Sequence, residues 1–547
     1  MSRRSFVGFG AAAAAGVALE GPWTRVLAQE SRGTPGATVQ TTAGRIRGLL
    51  RDNVHAFKGV PYGASTAGAR RFLPPATPQS WTGVRDAFEL GPRAPQFYGG
   101  EPPEMAVVDP REALGEDCLV LNLWTPGPGT GRRPVMVWLH GGGYSSGSAG
   151  YTIYSGQELA RKHDVVVVGV NHRLNVFGFL YLAEIGGERY ATASNAGMLD
   201  IVAALEWVRD NIGAFGGDPG NVTIFGQSGG AGKVSTLMAM PAAKGLFHKA
   251  IVQSGSALTG VPRAAATRTA ETVLMRLGLG ASQLDALQTM SMERLLEATR
   301  GAGPGGGGGI QLSPVVDGRS LPADPFEPSA SRLSAGVPLL AGTTETEVTF
   351  FGGAQLGPIN SAALRAQVKQ TLGVDDAQAD RLIAVYRKNR PNASPRDLDL
   401  IIQTDASPFR RGVDTEAERQ AAQPAPVYMY RFTWYSPVRN GELRAMHCME
   451  IPFVFGLPDA AKEMTGTGKE RYELADRMSR AWTAFARTGT PGHSGLPAWK
   501  PFTASERATM LFNTECRLVN DPYREERLAL AGLPQGGRGG RGGRGGA

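Results

Sequence analysis

Only three cysteines occur in the 547 residues, Cys118, Cys448 and Cys516. They are too few for a disulfide framework, and none stands in the paired spacing of a zinc site. Long hydrophobic runs are also missing: the N-terminal stretch from Phe6 to Leu19 has about 14 residues, short of the roughly 20 that span a bilayer. Charge of one sign is scarce once the ends are set aside. The formal net charge is +8, but Arg3, Arg4 and Arg25 against Glu20 give +2 before Ala28, and Arg538, Arg541 and Arg544 give +3 near the C-terminus. The body is left close to neutral, which gives nucleic-acid binding by it little support. There is no internal repeat at a fixed period.

What is present is the composition of a globular chain. The apolar fraction is 42% with 8% aromatic residues, enough to bury a large core. Residues 1–28, with Ser2-Arg3-Arg4-Ser5-Phe6-Val7 ahead of a Gly/Ala-rich stretch and a small-residue site at Val26-Leu27-Ala28, read as a twin-arginine-type signal peptide. Cleavage near Ala28 then gives an exported chain, periplasmic or extracellular. Residues 536–547 repeat Gly-Gly-Arg and are expected to stay disordered. The run Gly305 to Gly309 after Pro304 is expected to be a flexible loop within an insertion. A single domain over 29–535 lies between the ends.

Within it, strand candidates alternate with helix candidates. Pro134 to His140, Asp164 to Val170, Val222 to Phe225 and Ala250 to Val252 are apolar, β-prone runs, with later ones at Val337 to Ala341 and Val427 to Phe432. Continuous apolar runs suit strands covered on both faces. Helical spacing is present from Asn195 to Ile212, from Gly230 to Met240 and from Leu474 to Arg487. The alternation predicts an α/β fold with a mostly parallel central sheet flanked by helices.

Between the Val222 to Phe225 strand and the helix after it stands Gly226-Gln227-Ser228-Gly229-Gly230. A serine on a strained strand-to-helix turn needs small neighbours, and this context marks Ser228 as a nucleophile. A second glycine-rich segment, His140-Gly141-Gly142-Gly143-Tyr144, directly follows the strand from Pro134. Backbone N–H groups in such a loop can approach a developing oxyanion. Serine is a poor nucleophile at neutral pH, so an imidazole must accept its proton and a carboxylate must hold that imidazole.

Two longer segments are specific. They are Glu116-Asp117-Cys118-Leu119-Val120-Leu121-Asn122-Leu123-Trp124 and the run from Phe215-Gly216-Gly217-Asp218-Pro219 to Ser228-Gly229-Gly230. With Ala56 to Tyr62, Asn171 to Leu174 and Ala484 to Gly489 in support, the chain from about Val39 to Asn513 resembles the type-B carboxylesterases, the family that includes the cholinesterases. The resemblance implies an α/β-hydrolase fold with cap insertions and a serine carboxylic-ester hydrolase that requires no metal or organic cofactor. It places the catalytic histidine on His447, in Met446-His447-Cys448-Met449-Glu450, and the acid on Glu347, five residues after Gly342. Glu345 and Glu450 stand as rival acids. Gly142, Gly143 and Gly229 would supply the oxyanion-hole N–H groups, and Ser254 would support the acid. The order Ser228, Glu347, His447 is that of an α/β-hydrolase.

Departures from the family narrow the expectation. The cysteine that many relatives pair with the one at Cys118 is absent, so Cys118 is expected to be a buried thiol. Gln227 replaces the usual glutamate, and Val108 falls where cholinesterases carry a choline-binding tryptophan; choline esters are therefore not the expected substrates. The residue after the serine is Gly229 rather than alanine. The three-glycine loop implies tolerance of bulky alcohol groups, hence uncharged small-molecule esters, with amide, carbamate or specialised xenobiotic esters as the alternative. A non-catalytic binding protein is the remote alternative, opposed by the presence of all three candidates. Oligomeric state and pocket shape, which depends on the insertions 302–325 and 351–390, are not specified by the sequence.

Overall fold

The computed structural model describes residues 33–97, 112–301, 310–351 and 356–533. Residues 1–28, expected to be a signal peptide, the Gly-Gly-Arg tail, Val108 and the Gly305 to Gly309 run lie outside them. Thirteen strands form one sheet: β1 (Thr34–Gln40), β2 (Arg45–Arg51), β3 (Val54–Pro61), β4 (Val84–Asp86), β5 (Val120–Thr125), β6 (Gly129–Leu139), β7 (Val166–Val170), β8 (Phe215–Gln227), β9 (Lys249–Gln253), β10 (Leu339–Thr344), β11 (Val427–Phe432), β12 (Ala508–Phe512) and β13 (Arg517–Asn520). The order is β1-β2-β3-β5-β7-β6-β8-β9-β10-β11-β12-β13, with β4 beside β2. From β7 to β12 every neighbouring pair is parallel, while the pairs toward the two ends are antiparallel except β2 with β4, which is parallel.

The buried middles of the central strands, such as Val135 to Leu139 on β6 and Val222 to Phe225 on β8, are largely apolar because both faces are covered. On β6, Val135, Val137 and Leu139 join one core, while Met136 and Trp138 point into the other. The first core is closed by α1 (Ala196–Asn211) through Ile201, Leu205 and Val208, and the second by α7 (Glu470–Thr488) through Met478, Trp482 and Phe485. Both helices lie where the apolar spacing predicts them. The turn after β7 is fixed to α1 by a buried bidentate pair, Arg173 to Asp200, at 2.6 and 2.8 Å. The Glu116 of the first signature segment is partly buried and bonded to Arg71 at 2.5 and 2.6 Å.

Between β10 and β11 the chain builds a cap. Helices α3 (Ser361–Leu372), α4 (Asp376–Asn389) and α5 (Pro395–Ala406) enclose a small separate core around Leu364, Leu382, Tyr386 and Ile402. The helix α6 (Pro408–Ala421) then returns the chain to the sheet. Helix α2 (Gly229–Leu237) follows β8 directly. Cys118, Cys448 and Cys516 are all free, the first two buried. Among the described residues no helix is long and apolar enough to cross a membrane.

Candidate active site

The chain runs β6, then β7 on one side of it, then β8 on the other. A parallel sheet leaves a crevice at the carboxyl ends of its strands where the winding reverses in this way. The glycine loop leaves the end of β6 and Ser228 leaves the end of β8, so both come to that crevice. Glu347 and His447 follow β10 and β11 at the same edge.

Ser228 has φ 57° and ψ −123°, a sparsely populated conformation that costs about 1 to 3 kcal/mol and persists only when its surroundings enforce it. They do so here through backbone bonds: Ser228 N–H donates to Gln253 O at 2.8 Å, and Gly232 N–H donates to Ser228 O at 3.0 Å. The flanking glycines are required by contact. A Cβ on Gly230 would fall 1.9 Å from the Leu139 carbonyl oxygen, and one on Gly226 would fall 2.5 Å from the Gly230 carbonyl carbon.

Glu347 and His447 meet through their loops. Thr346 N–H donates to Ala445 O at 3.1 Å in a short bridge between Thr346 and Met446, which sets the next residues side by side. His447 Nδ1 lies 2.5 Å from Glu347 Oε2, with both side chains almost completely buried. Thr344 N–H donates to Glu347 Oε1 at 2.7 Å. Burial opposes ionisation of Glu347, but His447 and these donors prevail and hold its carboxyl below the usual range. Ser254 adds to that effect from the end of β9, although its hydroxyl makes no hydrogen bond of ordinary geometry. The rival acids are placed elsewhere. Glu345 lies 3.6 Å from the Arg390 guanidinium. Glu450 accepts from Gln253 Nε2 at 3.2 Å, and burial together with the Glu347 charge pushes it up to about 8.

The loop after β6 carries Gly142 and Gly143 at φ 86° and 63°. Gly143 is packed so closely on Gly229 that a Cβ there would fall 2.3 Å from Gly143 O. Neither those two nor Gly229 donates its N–H to a protein acceptor among the described residues. Gln96 fixes the far end of the loop, donating to Gly147 O at 3.0 Å and accepting from Gly147 N–H at 2.8 Å.

Several neighbours escape the sequence reading. The Gln227 amide nitrogen lies 3.1 Å from His447 Nε2, and its oxygen accepts from Cys448 Sγ at 3.2 Å. Phe350, Phe351 and Phe409 surround the His447 ring at 5.6, 5.5 and 4.7 Å between centroids. Phe351 and Phe409 stack at 5.4 Å. Lys233 lies fully buried on α2, behind the glycine loop. A lysine, the one charged residue of the helix Gly229–Leu237, is visible in the sequence; the phenylalanines lie in insertions and carry no such signal. A cavity of about 730 Å³ lies elsewhere, between α6, β11 and the C-terminal helix, and none of the three candidates lines it. Its arginines face acids, as in Arg527 to Asp521 at 2.6 Å and Arg410 to Asp405 at 3.5 Å.

The sheet order, the serine turn and the cap insertions between β10 and β11 define an α/β-hydrolase fold. The Carboxylesterase family profile matches residues 35–531. The chain is 36% identical over 501 residues to the para-nitrobenzyl esterase of Bacillus subtilis, covering 90% of this chain and 98% of that one. It is also 36% identical over 511 residues to the phenmedipham hydrolase of Pseudarthrobacter oxydans, with the same coverage. The structure of carboxylesterase EST55 from Geobacillus stearothermophilus superposes with a TM-score of 0.77 at 39% identity, covering 90% of this chain and 99% of that one. The chain belongs to the carboxylesterase family and is a carboxylic-ester hydrolase.

Proposed function

We propose that the protein hydrolyses uncharged carboxylic esters in two steps through an acyl-enzyme on Ser228. The Ser228 oxygen attacks the ester carbonyl carbon while His447 accepts its proton. The N–H groups of Gly142, Gly143 and Gly229 receive the negative charge that appears on the carbonyl oxygen. His447 then gives its proton to the leaving alcohol, and the acyl group stays on Ser228. A water molecule, deprotonated by His447, attacks the acyl carbon and releases the acid with Ser228 restored. Glu347 holds His447 in the tautomer with Nδ1–H and stabilises the imidazolium. The observation that carries this reading is the buried Glu347 to His447 contact at 2.5 Å, at the same sheet edge as the strained Ser228.

The phenylalanine surround of His447 supports an apolar acyl or alcohol group. Gln227 in place of a carboxylate removes a charge that would favour a cationic substrate. Export after cleavage near Ala28 is part of the same proposal. The test is hydrolysis of p-nitrophenyl acetate and butyrate by the chain beginning at Gln29, beside S228A. Turnover that disappears in S228A is the expected result, and turnover that survives the substitution overturns the mechanism. A panel of aryl, benzyl and tertiary-alcohol esters with matched amides and carbamates then ranks leaving groups.

A further inference from the structure

Lys233 occupies an unusual place for a lysine. Its side chain is fully buried, its Nζ donates to the His140 carbonyl oxygen at 2.9 Å, and it stands 5.7 Å from the centre of the Tyr144 ring. No carboxylate among the described residues forms an ion pair with it. The titratable groups around it are His140 and His172, stacked at 5.0 Å, and Tyr144. Both histidines are pushed well down by burial, and the Lys233 charge lowers them further. Glu416, on α6, is bonded to Ser235 at 2.8 Å and is itself pushed up to about 8 by burial.

Such a cation is a burden on the fold. Burial pushes Lys233 down to about 7, so holding it charged at neutral pH opposes stability, and a methionine would fill similar space without that cost. Its hydrogen bond to His140 O, the one it makes among the described residues, explains what it does there. The carbonyl it binds belongs to the residue just ahead of Gly141-Gly142-Gly143, and the far end of that loop is fixed by Gln96. A peptide unit held by its oxygen at the root of a glycine loop limits the directions the following N–H groups can take. In a water-poor interior a positive charge also acts over several ångströms with little screening.

We infer that Lys233 is a positioning residue for ester hydrolysis: its ammonium fixes the His140 carbonyl, sets the direction of the Gly142 and Gly143 N–H groups, and favours negative charge on the substrate carbonyl oxygen. This rests on the Ser228 mechanism above. The test compares K233M and K233Q with the wild-type chain from Gln29. It reads kcat and KM for p-nitrophenyl butyrate per phosphonate-titrated serine, and inhibition by a trifluoromethyl ketone, which adds to Ser228 as an oxyanion. K233M should lose roughly 10- to 100-fold in kcat, part of the loss typical of removing an oxyanion donor. Ketone affinity should fall by a similar factor, with little change in KM and no fall in the thermal midpoint. K233Q, which keeps a donor for the His140 carbonyl, should lose less, and it serves alone if K233M does not fold. A purely structural lysine would instead lower the thermal midpoint and leave the per-site kcat and ketone affinity intact, which overturns the inference. Turnover that depends on Ser228 but ignores Lys233 overturns this inference alone, whereas turnover surviving S228A overturns the mechanism as well.

Discussion

Replacing Gly229 by alanine tests how tightly the glycine loop proposed to bind the oxyanion is set. The added Cβ would fall 2.3 Å from Gly143 O, 2.4 Å from Gly143 Cα and 2.5 Å from Gly143 N. Ordinary van der Waals contact begins near 3.4 Å, so the loop or the helix start must yield by about 1 Å, and a displacement of that size in a catalytic group can cost about 100-fold. Little slack is available. Lys233 holds His140 O and Gln96 holds Gly147, while a Cβ on Gly142 would itself fall 2.4 Å from Ser146 O. The movement therefore falls on Gly143, one of the proposed donors. G229A should lose about 100-fold in kcat for p-nitrophenyl butyrate, about 2.7 kcal/mol in the barrier. KM should change little, because the ground-state ester makes weaker use of the loop. Titration of active serines with a phosphonate separates this from partial unfolding. A kcat per titrated site within about twofold of wild type would refute the reasoning, since such a change is too small for a displaced oxyanion donor.

The two buried carboxyls near His447 should respond in opposite ways. E347Q keeps its amide oxygen on Thr344 N–H, turns its NH2 toward His447 Nδ1, forces the wrong tautomer and should cost about 10^4-fold in kcat, while E450Q should stay within a few-fold because Glu450, pushed up to about 8, is already protonated at neutral pH; equal losses would remove the distinction. Stability carries a matching sign. A carboxyl raised from 4.5 to about 8 in the folded chain contributes stability that is complete below 4.5 and is lost as pH rises toward 8. The thermal midpoint of E450Q should therefore gain on wild type between pH 5 and pH 8, and a constant difference across that range counts against a neutral Glu450. R173M leaves Asp200 buried without its bidentate partner and should lose about 3 to 5 kcal/mol in denaturant unfolding; a loss under about 1 kcal/mol, typical of an exposed pair, would contradict it.

Much of the site is legible in the sequence because its demands are local. Gly226 and Gly230 are required because a Cβ on either would meet neighbouring backbone within 3 Å, and a strained serine turn between a strand and a helix leaves that pattern in consecutive residues. The apolar strands are legible for a similar reason, since burial on both faces favours runs of apolar residues such as Val135 to Leu139 and Val166 to Val168. The assignments of Glu347 and His447 came from a resemblance rather than from periodicity, because no spacing rule connects residues a hundred positions apart. In the fold, the bridge between Thr346 and Met446 brings them together.

By itself, then, the sequence determined the parallel sheet, the serine turn and the glycine loop, each an outcome of contacts among near neighbours or of alternation along one strand. Tertiary structure alone decided which of Glu345, Glu347 and Glu450 touches His447, that Gln227 faces the imidazole, that Phe350, Phe351 and Phe409 enclose it, and that Lys233 lies beneath the glycine loop. Those contacts join segments far apart in the chain, and side-chain partners across such distances are chosen by how the sheet is wound and capped.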